Sequence, residues 1–159
     1  MRSQNPMLAA LAAALLLAAC GAEPPTRTAE NSPAAQEAIA RIGDVTIRAS
    51  VVQTSTLEPS VARRHGISRD NNTVMLLVAV RKGADAEEIA LPARVTATAT
   101  DLRGQRQTIE LRELRVGDLL DYVGTVQTTL PETLRLDITI VRDGGATSSM
   151  QFTREFYPQ

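Results

Sequence analysis

The alternation of apolar and polar residues along the chain predicts a series of β-strands. From residue 45 onward, every second side chain is apolar, as in Val45, Ile47 and Ala49, with polar residues between them. Similar segments follow at short intervals, over residues 91–102, 105–114, 119–128, 133–142 and 146–157. A period of two is typical of strands that bury one face. Residues 74–80 are apolar on both faces, which predicts a central strand.

Turn-forming residues separate these segments. Gly104, Gly117 and Gly144 lie where the pattern breaks, and glycine favours tight turns because it adopts positive φ without strain. Gly124 lies inside a strand, where glycine indicates a bulge or the close approach of another backbone. Residues 58–66 have proline near the start and glycine at the end, the asymmetry of a short helix.

Seven short strands without long helical segments between them predict an all-β fold. We expect an immunoglobulin-like antiparallel β-sandwich of about seven strands, with one short helical insert over residues 58–66. The Cys-Trp-Cys pattern of antibody domains is missing from the sequence, so the prediction concerns architecture alone. A small antiparallel barrel is the alternative.

The N-terminal residues follow a different pattern. Arg2 precedes a short polar stretch, and residues 7–19 are all apolar. A charged start followed by a short apolar segment is typical of a secretory signal peptide, whereas a permanent membrane helix needs about 20 apolar residues. We therefore assign residues 1–19 to a signal peptide.

The apolar segment ends in Leu17-Ala18-Ala19-Cys20, which resembles the bacterial lipobox. The resemblance implies cleavage before Cys20 and a diacylglyceryl thioether on its sulfur. Two or three acyl chains would hold the protein on a membrane, because each buried methylene contributes about 0.8 kcal/mol. Gly21 follows, rather than an aspartate that resembles an inner-membrane retention signal, so we favour the outer membrane, with the domain facing the periplasm. An ordinary secretory peptide is the alternative.

Composition after the cysteine predicts a tether followed by one domain. Residues 20–41 carry three prolines among small and polar residues, which predicts a flexible tether, with a helical turn compatible with residues 36–41. The β-sandwich domain then covers residues 42–159. Cleavage removes Arg2 from the 17 cations and leaves 16 against 18 anions, so we do not expect nucleic acid as a partner.

Several short motifs resemble those of one bacterial family. They lie at residues 57–62, 65–67, 112–118, 122–125 and 152–157. Their order and spacing are similar to those of domain-of-unknown-function family 4426, over residues 44–157. This chain has His65 where the family has tyrosine, and Thr56 where it has phenylalanine. The resemblance implies an exported β-domain of uncharacterised activity.

The sequence offers few residues for catalysis or metal binding. His65 is the only histidine, and Ser68 and Asp70 lie near it, but no nucleophile elbow or oxyanion-hole motif accompanies them. Cys20 is the only cysteine, and the EF-hand spacing of oxygen ligands is missing around Asp70. We expect no catalytic residues, no cofactor and no metal.

Two features indicate binding instead. Arg63, Arg64, His65 and Arg69 gather around the predicted helix, where they form a candidate surface for anionic lipid headgroups or a cell-wall polymer. A simply solvated face is the other interpretation. The last strand, at residues 148–157, is a candidate sheet edge that can accept a partner's strand.

These observations favour a membrane-anchored, non-enzymatic lipoprotein of the cell envelope that binds or positions another envelope protein or a wall component. A hydrolase with a site around His65, Ser68 and Asp70 is one alternative. A carrier that holds a small apolar ligand between the two sheets is the other.

Overall fold

The computed structural model describes residues 37–84 and 87–159. The predicted signal peptide, Cys20 and most of the predicted tether lie outside these ranges. The described residues form one short helix, α1 (Pro59–Arg64), one 3-10 turn (Thr54–Thr56) and ten strands. The strands are β1 (Glu37–Ile42), β2 (Val45–Gln53), β3 (Thr73–Lys82), β4 (Ile89–Ala90), β5 (Ala93–Thr100), β6 (Arg106–Ile109), β7 (Arg112–Val116), β8 (Leu119–Gln127), β9 (Glu132–Arg142) and β10 (Thr147–Phe156).

The strands form two antiparallel sheets. Sheet A has the order β1-β2-β3-β8-β7, with β4 paired to the end of β3, and sheet B has the order β10-β9-β5-β6. Without β1, β4 and β6, this is the strand order of an immunoglobulin domain, in which strands A, B, E and D face strands G, F and C. The prediction of an immunoglobulin-like sandwich is therefore confirmed, and the barrel alternative is wrong.

The core lies between the inner faces of the two sheets. The alternating residues of β9 are no more than 1% exposed, and those of β2 no more than 3%, as the period of two predicts. The buried apolar side chains of these two strands are Val45, Ile47, Ala49, Val51, Leu134, Leu136, Ile138 and Ile140. Burial of one large aliphatic side chain contributes about 1.5–3 kcal/mol, so these faces contribute substantially to the stability of the fold.

Strand β3 is central, as its apolar residues predict. It pairs with β2 on one side and with β8 on the other. Its inner face is buried, and Met75 and Leu77 on the outer face are half-buried.

The start of the domain differs from the prediction. Residues 37–41, assigned to the tether, belong to a strand, Glu37–Ile42, that pairs antiparallel with β2. Ala38 and Ala40 on its inner face pack against the core. Alanine gives only a weak alternation of hydrophobicity, and the edge of β2 supplies the hydrogen-bond partners that make this segment extended.

The returning segment at residues 105–114 forms two strands instead of one. Strand β6 pairs with β5 in sheet B, whereas β7 pairs with β8 in sheet A. The chain therefore changes sheets at Glu110 and Leu111. Alternation continues through this change, because a period of two does not depend on which sheet receives the strand.

Gly124 of β8 lies where the chain changes sheets. A Cβ atom at this position would lie 2.5 Å from the carbonyl oxygen of Glu110 and 2.7 Å from Cγ2 of Ile109. The predicted close approach of another backbone is thus confirmed. Any side chain at residue 124 would push the crossing segment away from sheet A.

We expect Gly124→Ala to lower the free energy of unfolding by about 2–3 kcal/mol, because a backbone oxygen cannot move aside as a flexible side chain can. Urea unfolding followed by circular dichroism measures the change. Thr125→Ala, at the neighbouring exposed position, is the control and should lower it by about 1 kcal/mol or less. Equal stability of Gly124→Ala and the parent would contradict the close approach.

Candidate functional site

The helical insert lies at one end of the sandwich, between the end of β2 at Gln53 and the start of β3 at Thr73. The chain enters the domain near this end, since Glu37 pairs with Ser50. The same end holds the β5–β6 and β8–β9 connections and the last three residues. We call this surface the insert end, and it comprises residues 54–72, 101–105, 128–131 and 157–159.

Helix α1 forms because a side chain caps its first turn, and it terminates at a glycine with positive φ. The carboxylate of Glu58 accepts hydrogen bonds from the backbone N–H groups of Ser60 at 2.8 Å and Val61 at 3.0 Å, and from the Ser60 hydroxyl. The hydrogen bond from the Ser60 hydroxyl is the main cause that lowers the pKa of Glu58. Ala62 is buried, and Gly66 ends the helix with φ of 63°. The predicted short helix is confirmed.

Polar contacts fix the insert on the sandwich. The hydroxyl of Thr54 donates to the carbonyl oxygen of Asp70 at 3.1 Å and accepts from its N–H at 2.9 Å. Arg69 donates to the carbonyl oxygen of Ser55 at 2.6 Å. Arg112 of β7 donates to the carbonyl oxygen of His65. The insert is therefore held at both ends and along its length.

Gln53 joins the insert to the C-terminal residues. Its side chain is buried, and its Nε2 donates to the carbonyl oxygen of Tyr157 at 3.0 Å and to that of Asn71 at 3.4 Å. Its Oε1 accepts a hydrogen bond from Gln159 at 3.2 Å. Sequence reasoning missed this role, because a glutamine at the end of a strand carries no local signal of such partners.

The structure separates the four predicted binding residues into two groups. Arg63 and Arg64 are exposed, and their guanidinium groups make no hydrogen bond or ion pair with other described residues. Arg69 is exposed but is held by Ser55, and His65 is half-buried. Arg63 and Arg64 therefore present guanidinium groups that have no partner among the described residues, whereas that of Arg69 is engaged through one nitrogen.

Of the three residues considered for hydrolysis, Asp70 orders a local turn. The carboxylate of Asp70 accepts hydrogen bonds from the Asn72 N–H at 2.7 Å and the Thr73 hydroxyl at 3.2 Å, as in an Asx turn. Across the described ranges, no hydrogen bond joins the side chains of His65, Ser68 and Asp70 to one another. The same ranges contain no group of three or more His, Cys, Asp or Glu residues placed to hold a metal ion.

Two shallow depressions continue the insert end toward β10. A groove of about 440 Å³ lies between the ends of β2 and β10, and its lining includes Gln53, Thr56, Arg154 and Tyr157. A smaller hollow of about 210 Å³ is lined in part by Leu102 and Tyr157. Leu102 is 76% exposed and Tyr157 is 57% exposed, so both project from this end.

The cap on α1 should respond to pH. Hydrogen bonds to the Glu58 carboxylate lower its pKa below the ordinary value of 4.5. The stabilisation of the helix is therefore present above pH 4.5 and is lost as the pH falls through the lower pKa of the folded state. We expect the protection factors of the Ser60 and Val61 amides, which correct for the pH dependence of intrinsic hydrogen exchange, to fall in acid, as measured by NMR.

The matched variants test whether this response belongs to the cap. Glu58→Gln keeps an oxygen acceptor but removes the titrating group. The loss of protection of the Ser60 and Val61 amides at low pH should therefore disappear. Glu87→Gln, at an exposed position outside the insert end, should leave the response intact. A response that survives in Glu58→Gln would assign it to another carboxylate.

No helix in the described ranges is long and apolar enough to span a membrane.

The sandwich is similar to the crystal structure of a DUF4426 family protein from Pseudomonas aeruginosa PAO1, with 24% sequence identity, a TM-score of 0.67, and coverage of 79% of this chain and 98% of that one. No curated protein matches the chain.

The fold is also similar to that of FetP from uropathogenic Escherichia coli, which was expressed recombinantly in the periplasm of E. coli. The identity is 11% and the TM-score 0.53, over 77% of this chain and 94% of FetP. A copper-bound variant of FetP shows 11% sequence identity and a TM-score of 0.54, over 78% of this chain and 92% of that chain. At these identities the likeness concerns the fold alone. The model of the domain of unknown function DUF4426 matches residues 39–159, and the chain therefore belongs to the DUF4426 family.

Proposed function

We propose that this protein is a lipid-anchored, non-enzymatic binding module of the bacterial cell envelope. The observation that carries the proposal is the lipobox, Leu17-Ala18-Ala19-Cys20, at the end of an apolar segment. It precedes a sandwich whose family match begins at residue 39. The periplasmic expression of the structural neighbour FetP supports the same side of the membrane.

A binding role is supported over a catalytic one by how the polar side chains are used. Glu58 caps a helix, Asp70 orders a turn, and Gln53 holds the C-terminal residues. Buried side chains between the sheets, such as Ile47, Val80 and Ile140, are 0% exposed. This packed interior gives no support to a carrier of a ligand between the sheets.

Although one of the FetP structures is that of a copper-bound variant, we do not propose a copper site in this chain. Copper sites in proteins use imidazole, thiolate and thioether ligands. His65 is the only histidine of the chain and lies in the insert, whereas Met75 is on the outer face of sheet A and Met150 is in the core. Among the described residues, these candidate ligands lie in three separate parts of the fold.

Exposed side chains at the end of the sandwich opposite the insert support the proposal of a protein or cell-wall partner. We call this surface the apolar end. Strands β1 and β7 end at this surface, β8 begins there, and β4 pairs there with the end of β3. Four large apolar side chains at this end are 41–63% exposed, namely Ile42, Ile89, Val116 and Leu119. These side chains lie along the end of sheet A from β1 to β7 and are the candidate apolar contacts for a partner.

The β10 edge is a less suitable contact surface. Strand β10 lies at the edge of sheet B, as predicted, and Arg154 alternates on its inner face with Phe152 and Phe156. An inward charge on an edge strand discourages the addition of another strand. We therefore place the partner at the apolar end.

Cys20→Ser tests the anchor. We expect the full chain, expressed in a diderm bacterium, to incorporate labelled palmitate and to sediment with membranes, and the serine variant to do neither because serine cannot form the thioether. Thr28→Ser, which adds a serine to the same region but keeps the thiol, should behave as the parent. Palmitate incorporation by Cys20→Ser would overturn the proposal, as would a parent protein that carries no label.

A further inference from the structure

We infer that the insert end is a membrane-facing surface that binds anionic phospholipids, with Arg63 and Arg64 on lipid phosphates and with Leu102 and Tyr157 in the interfacial layer. This inference rests on the proposed lipid anchor at Cys20 and adds to it an orientation of the domain. It assigns to the two ends of the sandwich different partners.

The position at which the chain enters the domain does not by itself determine which end faces a membrane. Strand β1 begins at Glu37, which pairs with Ser50, three residues before β2 ends at Gln53. Cys20 and Glu37 are 17 residues apart in sequence, a reach on the order of 60 Å when fully extended. That reach is long enough to allow either end to face the bilayer, so contacts of the domain must select one.

Charge selects the insert end. Of its three side-chain carboxylates, Asp101 forms an ion pair with Arg103 at 3.2 Å, whereas Glu58 and Asp70 accept hydrogen bonds from uncharged donors and keep their negative charge. Arg63 and Arg64 are exposed and have no partner among the described residues. Although the chain carries a formal charge of -1, the insert end has four arginines against three side-chain carboxylates, which gives this surface a formal net charge of +1.

Anionic headgroups fit these two cations. Guanidinium groups bind phosphate oxygens with two parallel hydrogen bonds, and one arginine near an anionic leaflet strengthens binding by about fivefold. Arg63 and Arg64 are adjacent on a helix that is fixed to the sandwich through Thr54, Arg69 and Arg112. Their backbone is thus positioned before any lipid is bound, which reduces the entropy lost on binding.

Two projecting side chains suit the interfacial layer. Leu102 at the β5–β6 turn is 76% exposed, and Tyr157 beside it is 57% exposed, and both line the same hollow. Tyrosine is enriched at the level of lipid headgroups because its ring is apolar and its hydroxyl is polar. Cations, a tyrosine and an aliphatic tip on one end match what an anionic bilayer surface offers.

A single tryptophan can report the orientation, since the chain contains none. We would purify the lipidated full chain as Leu102→Trp, or as Ile89→Trp at the opposite, 63% exposed position. Each is reconstituted into vesicles of phosphatidylglycerol and phosphatidylcholine with brominated acyl chains, which quench nearby tryptophan. Circular dichroism verifies that both variants fold, and flotation verifies that both are anchored.

We expect quenching of Leu102→Trp to exceed that of Ile89→Trp by about threefold or more, and this difference to fall in pure phosphatidylcholine and at high salt. Adding Arg63→Ala and Arg64→Ala should reduce it in the same way. Adding Arg94→Ala and Arg115→Ala, which remove two exposed cations outside the insert end, should leave it unchanged.

The results distinguish the failure of each proposal. If the vesicles carry the protein but both reporters are quenched equally, the orientation is wrong and the anchor stands. If quenching of Leu102→Trp does not depend on phosphatidylglycerol or on Arg63 and Arg64, headgroup binding is overturned. A protein that does not float with vesicles overturns the anchor and this inference together.

Discussion

The contact between Gly124 and the backbone of Glu110 determines how the sandwich is closed on one side. The chain leaves sheet B after β6 and joins sheet A as β7, and the crossing passes directly over β8. Only a residue without a side chain leaves room for that passage. Because β7 then pairs with β8, the strand order becomes that of an immunoglobulin domain, and the position of the insert above Arg112 of β7 depends on the same crossing.

The insert is coupled to this frame by polar contacts at both of its ends. Thr54 and Asp70 bind each other where the insert leaves and rejoins the sheet, and Gln53 extends the contact to Tyr157. Thr54 is 0% exposed, so its hydrogen bonds are shielded from water and costly to break. A segment of this kind behaves as a part of the rigid domain, although it contains only one short helix.

Some features of the molecule follow from local sequence and others do not. Alternation predicted β2 and β9, whose inner residues are large, and glycine predicted the turn at Gly104 and the close approach at Gly124. Strand β1 was missed because its inner residues include Ala38 and Ala40, and β4 because it has two residues. The change of sheet after β6 leaves no trace in a period of two.

The same distinction holds for the candidate surface. Arg63 and Arg64 were identifiable because they are adjacent in a short helix between proline and glycine. The roles of Gln53 and Arg112 were not, since their partners Tyr157 and His65 are 104 and 47 residues away in sequence. Contacts over such separations depend on the completed fold. Local pattern therefore finds the exposed cations but not the groups that hold them in place.

The hydrogen bond from Gln53 to Tyr157 has a practical consequence for work with this protein. It holds the C-terminal residues at the end of the sandwich where the chain also enters. A purification tag or a fused fluorescent protein added after Gln159 would therefore emerge beside Leu102 and the end of the insert at Asn71. Such an addition would separate the insert end from the membrane that we propose it faces. A tag inserted at the Gly144-Gly145 turn would leave the insert end unobstructed.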